Sequence, residues 1–425
     1  MQTDFLIAGT GCAGLFCALH LPENKKVIVI TKSDAESNDS FLAQGGICVK
    51  RDEQDFDAFY ADTLKAGHYE NNPESVRIMI EESRGVIEKL MALGVQFNKN
   101  ADGTLAYTRE GAHSKPRILY HRDITGKEIT SKLLAEAKKR ENITIFEHTT
   151  LLDITEAGGK CCGAVLQTAE KEIVAVSCNA LLLATGGVGG LFRHSTNFKH
   201  LTGDALAIAQ KHGVELKDTD YIQIHPTTLY SDSKDERSFL ISESVRGEGA
   251  KLYGKDFERF TDELQPRDLL TDAIYAKMKS DGTKHVWEDL RPIPSAEIQS
   301  HFPNIASRCK EKGYDVTTEC IPVVPAQHYF MGGIKIDLNG KTSMDGLFAA
   351  GETACNGVHG KNRLASNSLL ESLVFAKRAA LEMAKVPQNT KLPETDLSAY
   401  QNTDALMENY HETVLNILKK ENEHV

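Results

Sequence analysis

The chain has 425 residues, 41% of them hydrophobic and 26% charged, an ordinary globular composition with length for about two or three domains. Its net charge of −11 argues against a nucleic-acid surface, which needs a basic face, yet a few local arginines can still hold a small anion. Nine cysteines without a CxxC pair make neither a disulfide framework nor a metal site, so reduced thiols in a cytoplasmic protein, with no metal, are expected. No apolar run is long enough to span a membrane. The segment from Phe5 to Leu21 lacks a basic leader and is broken by glycines, so it is not read as a signal peptide.

In chain order, Asp4 to Ala8 and Val27 to Thr31 read as short buried strands flanking a helix from Ala13 to Leu21, a βαβ unit. Phe56 to Ala66 and Pro73 to Leu93 have helical periodicity. FNKNADGTLAY reads as a hairpin turning at Asp102-Gly103. Ile129 to Arg140 is a helix, and Ile143 to Ala184 is rich in strand, ending in the buried run Leu181 to Gly187. From about Asp218 to Ala326, charged loops, prolines and short helices replace the α/β rhythm, which predicts an inserted domain. IKIDLNGKTSM predicts a hairpin with a type I′ turn at Asn339-Gly340, and GLFAAGE another buried strand. Ser368 to Lys385 is a helix with a capping box, Ser368-x-x-Glu371. The last 30 or so residues read as polar and partly helical.

Gly9-x-Gly11-x-x-Gly14 follows a strand and opens a helix. Gly9 permits the tight turn, Gly11 lets backbone approach a pyrophosphate, and Gly14 lets the helix pack on the strand. The free N–H groups of the helix start suit the anion. In this context the motif points to a dinucleotide. The second strand ends in Thr31 and Lys32 rather than in the acid that binds an NAD ribose, which turns the reading toward FAD. Glu352, at the end of GLFAAGE, either meets a ribose or is a surface turn carboxylate. The glycines of DSFLAQGGI (Asp39 to Ile47) either lie flat against a ring system or simply make a loop. The helix at Ser368 either aims its positive end at a reduced flavin or is an ordinary core helix.

The candidate chemistry sits in broken segments. Gln223 and His225 in YIQIHPT share one strand face, with Ile222 and Ile224 expected toward the core. Glu243 and Arg246 in SESVRGEGA are three apart on a helical turn. Arg267, His328 and Arg363 complete two histidines and three arginines. Arginine clamps carboxylates in bidentate fashion, so two clamps suit a dicarboxylate. There is no GxSxG, and nothing suggests nucleophilic hydrolysis.

Over residues 1 to about 390 the motifs GTGCAG, SFLAQGGI, TREGAHS, ATGGVGGLF, GDALAIAQ, QIHPT, SESVRGEGA, HYFMGGI and GETACNGVHGKNRLASNSLLESLV resemble the flavoprotein of the succinate dehydrogenase/fumarate reductase family, in particular its aspartate-oxidising branch. The resemblance implies an α/β fold, a Rossmann-like FAD-binding domain (1–218 and 331–390) with an inserted α+β capping domain (219–330) and a C-terminal tail (391–425) in place of the family's helical domain. It implies FAD held by Gly9, Gly11, Cys12, Ala13, Gly14, Lys32, Ser40, Ala43, Gln44, Gly45, Gly46, Thr185, Gly186, Asp204, Glu352, Ser366, Asn367, Ser368 and Leu369. A C4 dicarboxylate would be held by Gln223, His225, Ser242, His328 and Arg363, with Arg267 as acid/base and Glu243 and Arg246 relaying its protons. An arginine in that role is unusual, its pKa in water being above about 12. Covalent relatives carry a histidine near Asp39; none is close here, so FAD is expected to be non-covalent. Glu110 stands where succinate enzymes carry glutamine, and a carboxylate there can pair with the ammonium of L-aspartate. The implied reaction is oxidation of L-aspartate to iminoaspartate with oxygen or fumarate as acceptor, the first step of NAD biosynthesis, feeding quinolinate synthase. Hydride loss from the α-carbon and C2–C3 desaturation both remain open. The alternatives are a soluble fumarate reductase and a non-catalytic flavoprotein.

Overall fold

The computed structural model describes residues 1–233, 237–388 and 395–419. Its centre is a five-stranded parallel sheet in the order Leu347–Ala349, Ala180–Leu183, Phe5–Ala8, Val27–Ile30, Ile143–Phe146. The inner strands are continuous apolar runs because both sheet faces are covered. Alternation then divides them between two cores. Phe5, Ile7, Val29 and Leu182 pack under the helices Cys12–His20, Thr125–Lys139 and Asn367–Met383. Leu6, Ala8, Leu181 and Leu183 face the antiparallel meander Thr150–Ala157, Lys160–Gln167, Ile173–Ser177 and the helix Asp204–Lys211.

A second sheet, antiparallel throughout, has the order Phe239–Leu240, Ile222–Leu229, Ile321–Phe330, Val286–Asp289, Lys251–Tyr253. With the helices Arg267–Asp281, Ser295–His301 and Pro303–Glu311 it encloses a third core, whose buried members run from Leu229 to Val323. Leu216–Lys217 and Gly333–Lys335 pair antiparallel where the chain leaves for this unit and returns. The architecture is thus a Rossmann-like α/β domain carrying an inserted α+β unit. We propose the division 1–218, 219–330 and 331–390 from the separate core and this stitched base, although the boundary at 390 lies outside the described residues.

The hairpin at 97–107 is present, though short: Lys99 and Leu105 form one antiparallel bridge, Asn100 N–H donates to Thr104 O and Ala106 N–H to Asn98 O, and the turn at Asp102-Gly103 is closed by the Asp102 carboxylate on the Thr104 N–H and hydroxyl. Several local expectations are corrected. The turn at 339–340 is not type I′, which needs positive φ at both central residues. Only Gly340 has it, at +78°, and Asp337 Oδ1 accepts from the N–H groups of both Asn339 and Lys341. Gly333–Lys335 pairs with Leu216–Lys217 and Ala354–Cys355 instead of folding back on itself. The helix expected at Ile129 begins at Thr125.

The capping box is absent as well. Ser366 is the N-cap of Asn367–Met383, so Ser368 is already inside the first turn. Glu371 turns into the core, bonded to Asn356 and Ser372. The tail is also not simply polar. Thr403–Lys419 is a helix that buries Tyr410, Val414 and Leu418 in the second core, and the Tyr410 hydroxyl donates to Leu152 O at 2.8 Å. Residues 391–394 and 420–425 of that tail lie outside the described residues.

Candidate active site

A single cleft of about 2320 Å³, open mouth included, runs from the C-terminal edge of the parallel sheet to the inserted sheet. Gly9 is fixed by sterics: at φ +121°, a Cβ would lie 2.0 Å from Ala184 O. A Cβ on Gly14 would meet Gly9 O at 2.0 Å, so this residue seats the helix on the strand and does not line the cleft. Gly11 has only the Ser40 hydroxyl nearby, and that oxygen accepts from the Cys12 N–H at 3.1 Å. The N-cap Gly11 has no side chain, so apart from the Ser40 contact no side chain closes off the positive N-terminus of the Cys12–His20 helix, and Gly11, Cys12 and Ala13 line the cleft.

Ser40, Ala43, Gln44, Gly45, Gly46, Thr185, Gly186, Ser368 and Leu369 line the same wall. At one end Lys32, which replaces the expected ribose acid, pairs with Asp204 and donates to Thr202 Oγ1. Glu352 is a cleft residue rather than a surface carboxylate. It accepts from the Phe330 N–H at 2.9 Å, and burial, with nearby Asp39 adding to it, pushes its carboxyl well above the ordinary range. Asn367 is buried behind the wall, donating to Thr63 Oγ1 at 3.2 Å.

The cleft is lined by buried polar atoms that the protein does not satisfy, among them Thr10 Oγ1, Asp39 Oδ2, Gln44 Oε1, His225 Nε2 and Arg363 Nε. Buried polar groups are normally paired. These atoms, with the helix N-terminus at Gly11–Ala13 and the glycine wall, fit a long polar ligand with an anionic middle and a flat ring, as in FAD.

At the other end the insert supplies charged side chains. The Arg267 Nε donates to Glu243 Oε2 at 2.6 Å and NH1 to Gln223 Oε1 at 2.9 Å. Burial alone would raise the Glu243 carboxyl, but Arg267 and Arg246 outweigh it and hold it below the ordinary value. Arg246 lies behind the cleft, donating to Thr227 Oγ1 at 2.5 Å and Glu263 O at 3.2 Å. His225 and His328 meet edge to face with ring centroids 5.1 Å apart. Burial, then the charge of Arg267, keeps both imidazoles far below their usual pKa and hence neutral. His328 Nδ1 is 2.8 Å from Thr196 Oγ1. Arg363 stacks 4.5 Å over the Tyr329 ring and donates to Ser368 Oγ at 3.1 Å. Burial, with Arg267 adding to it, lowers its pKa to about 10, so it stays charged at neutral pH.

Glu110 is buried in the cleft wall. Ser244 Oγ donates to its Oε1 at 2.7 Å and Ser366 Oγ to its Oε2 at 2.6 Å. Burial, then the charge of Glu243, raises its pKa. Ser366, a non-glycine residue at φ +60°, holds a strained backbone conformation of the kind found at functional sites.

The structure therefore gathers Glu110, His225, Ser242, Glu243, Arg267, His328 and Arg363 around one space. It leaves Gln223 and Arg246 behind it. Gln223 commits its amide to Arg267, Asn362 Oδ1 and Arg363 O, the latter two at 2.8 Å. Gln223 and His225 share a face as expected, but theirs is the more buried one: Ile222 packs half-buried against the second core, and Ile224 is half-buried. The pairing register shifts at Gln223/Ile224 and again after His225, which re-aims the side chains. Sequence reasoning passed over Tyr329, Thr196 and Ser244. Tyr329 and Ser244 adjoin the selected His328 and Glu243, which was their only signal, whereas Thr196 lies far in sequence from every selected position and is brought in only by its contact with His328.

The family described as FAD binding domain matches residues 4–369. The chain is 50% identical over 389 residues to an L-aspartate oxidase of Clostridium perfringens, covering 92% of this chain and 88% of that one. It is 42% identical to an L-aspartate oxidase of Nostoc, with 92% and 70% covered. Among solved structures, a quinol fumarate reductase of E. coli superposes with a TM-score of 0.86 at 29% identity, covering 99% of this chain and 74% of that one. Motif, cleft and relatives agree: the chain belongs to the L-aspartate oxidase family, within the FAD-binding flavoproteins of succinate dehydrogenase and fumarate reductase type.

Proposed function

We propose that this chain oxidises L-aspartate to iminoaspartate, using FAD bound without a covalent link and reoxidised by oxygen or fumarate. The observation that carries the reading is Arg267. It is held by buried Glu243 across one cleft from Arg363 and two neutral histidines. FAD, when bound, supplies the two-electron acceptor. Gly9, Gly11, the Cys12–His20 helix, Lys32, Asp204, Glu352 and the 43–46 loop are the residues that would hold it.

Arg363 binds one substrate carboxylate as a charged donor. His225, His328 and Ser242 donate to the substrate without adding charge. His225 Nδ1 lies 3.0 Å from Thr227 O and 3.2 Å from the Thr227 N–H; donation to the substrate uses the tautomer in which Nδ1 accepts from that N–H and Nε2 carries the proton. Glu110 meets the substrate ammonium. Its raised pKa reflects a buried carboxylate short of a cation, which aspartate brings. Arg267 is the acid/base, its Nε held on Glu243 Oε2, with Arg246 behind. The insert caps the site and excludes water. An electrophilic imino acid product implies a consuming enzyme nearby, consistent with quinolinate synthase in NAD biosynthesis.

Fumarate reduction by the same residues is the second reading, favoured by the fumarate reductase superposition. Anaerobic mixing separates the two. Aspartate should bleach the flavin faster than succinate does, and a flavin that stays yellow with aspartate overturns the first reading. FAD remaining in an acid-precipitated pellet would overturn the non-covalent assignment.

A further inference from the structure

The insert is tied to the rest of the chain by a short polar ring at the back of the site. Asp268, the second residue of the helix Arg267–Asp281, accepts from Asn362 Nδ2 on Oδ1 at 3.2 Å, and its Oδ2 lies 2.7 Å from His68 Nε2. Asn362 Oδ1 in turn accepts from Gln223 Nε2 at 2.8 Å, and Gln223 Oε1 accepts from Arg267 NH1 at 2.9 Å. Asp268 is the covalent neighbour of Arg267, and Asn362 that of Arg363. The ring therefore closes through the backbone at both arginines. None of Asp268, Asn362 and Gln223 lines the cleft.

Two buried guanidinium groups facing one space repel each other, and the charge of Arg267 is one cause of the lowered pKa of Arg363. Asp268 supplies an anionic side chain outside the cleft that bridges the two parts. Its His68 contact is half-exposed and so worth little, whereas Asn362 is buried. His68 and Tyr69 both hold left-handed backbone, at φ +57° and +62°, which non-glycine residues rarely adopt.

We propose that Asp268 and Asn362 are positioning residues whose hydrogen bond latches the insert shut and, through Gln223, sets the spacing of Arg267 and Arg363 across the substrate. The inference rests on the reading of those arginines as acid/base and clamp.

The test uses the full-length, FAD-loaded protein. Asp268→Ala and Asn362→Ala should each lower kcat/KM for aspartate by on the order of tenfold, the scale of one lost charge-assisted hydrogen bond. The loss should fall mainly on kcat, with FAD content unchanged and faster amide exchange in residues 267–281. The double variant should lose no more than Asn362→Ala alone, which removes the shared bond together with the Gln223 contact. Asp268→Asn, which keeps an oxygen for Asn362, should recover most of the rate, and His68→Gln should cost less than about threefold. Additive losses, an Asp268→Asn variant as slow as Asp268→Ala, or single variants with unchanged rate and exchange would overturn the latch. Should the unmodified protein leave aspartate unreacted, the functional reading falls and exchange alone decides. Faster exchange in both single variants, not exceeded in the double, supports the latch; unchanged exchange overturns it.

Discussion

The two walls of the cleft are built on opposite plans. The parallel-sheet wall is mostly backbone: glycines with no room for a Cβ, a helix start whose N-cap is a glycine, and unpartnered polar atoms such as Thr10 Oγ1 and Gln44 Oε1. The inserted wall is mostly charged side chain, and those groups already bond to one another, Arg267 to Glu243 and Gln223, Arg246 to Thr227. The first wall is completed by its ligand. The second is organised before any ligand arrives, as fixed dipoles and charges must be if they are to favour a transition state. Substitutions should therefore damage binding on one side and rate on the other.

The largest effect expected is at Arg267. Arg267→Ala should lower kcat for aspartate by about 10³-fold, within the range for a lost acid/base, while FAD content by absorbance stays near one per chain. Gly9→Ala should do the reverse. A Cβ 2.0 Å from Ala184 O at φ +121° forces the turn open, so FAD affinity should fall at least 100-fold and the apoprotein lose on the order of 2 kcal/mol of stability. Equal losses of rate and of FAD in both variants would erase the contrast between the walls.

Glu110 sharpens the comparison because it stands where the walls meet, bonded to Ser244 of one and Ser366 of the other. Glu110→Gln should slow aspartate oxidation by roughly 10² to 10³, since breaking a buried charge pair costs about 3–5 kcal/mol, part of which the amide recovers. Fumarate reduction by reduced enzyme should change by only a few-fold. Parallel loss in both assays would sink the ammonium pairing.

The smallest effect concerns the insert's own core. Glu288 is fully buried with neither carboxyl oxygen bonded, and burial pushes its pKa from 4.5 up to about 7. The folded protein then holds a proton that the unfolded chain has released, so this group's contribution to stability falls as pH rises from about 4.5 to 7. Glu288→Gln should melt higher than the parent at pH 8, by an amount corresponding to at most about 3 kcal/mol, and should lose most of that advantage near pH 5. An advantage independent of pH would show that packing, not ionisation, is responsible.

The glycine motif and the continuous apolar runs at Phe5–Ala8, Ala180–Leu183 and Leu347–Ala349 dictate the parallel sheet almost without help. Local pattern and backbone sterics act over a few residues, and one sequence displays both. The Arg/His cluster was also visible as residue types in broken segments. What failed were features whose hydrogen bonds go elsewhere: Glu371 to Asn356 instead of a helix cap, and Asp337 to neighbouring N–H groups instead of a type I′ turn.

By itself, the sequence determined that a dinucleotide turn opens the chain and that arginines and histidines await an anion, because both are written in residue type and short spacing. Only the tertiary structure decided which of those residues share a space. Arg267, Glu110 and Arg363 come together from 267, 110 and 363 through the insert's fold. Gln223 and Arg246 fall behind them because two register shifts and one helical turn set their direction. Charge, burial and bond partners depend on that assembly, and with them the neutrality of His225 and His328 and the ionisation of Glu243.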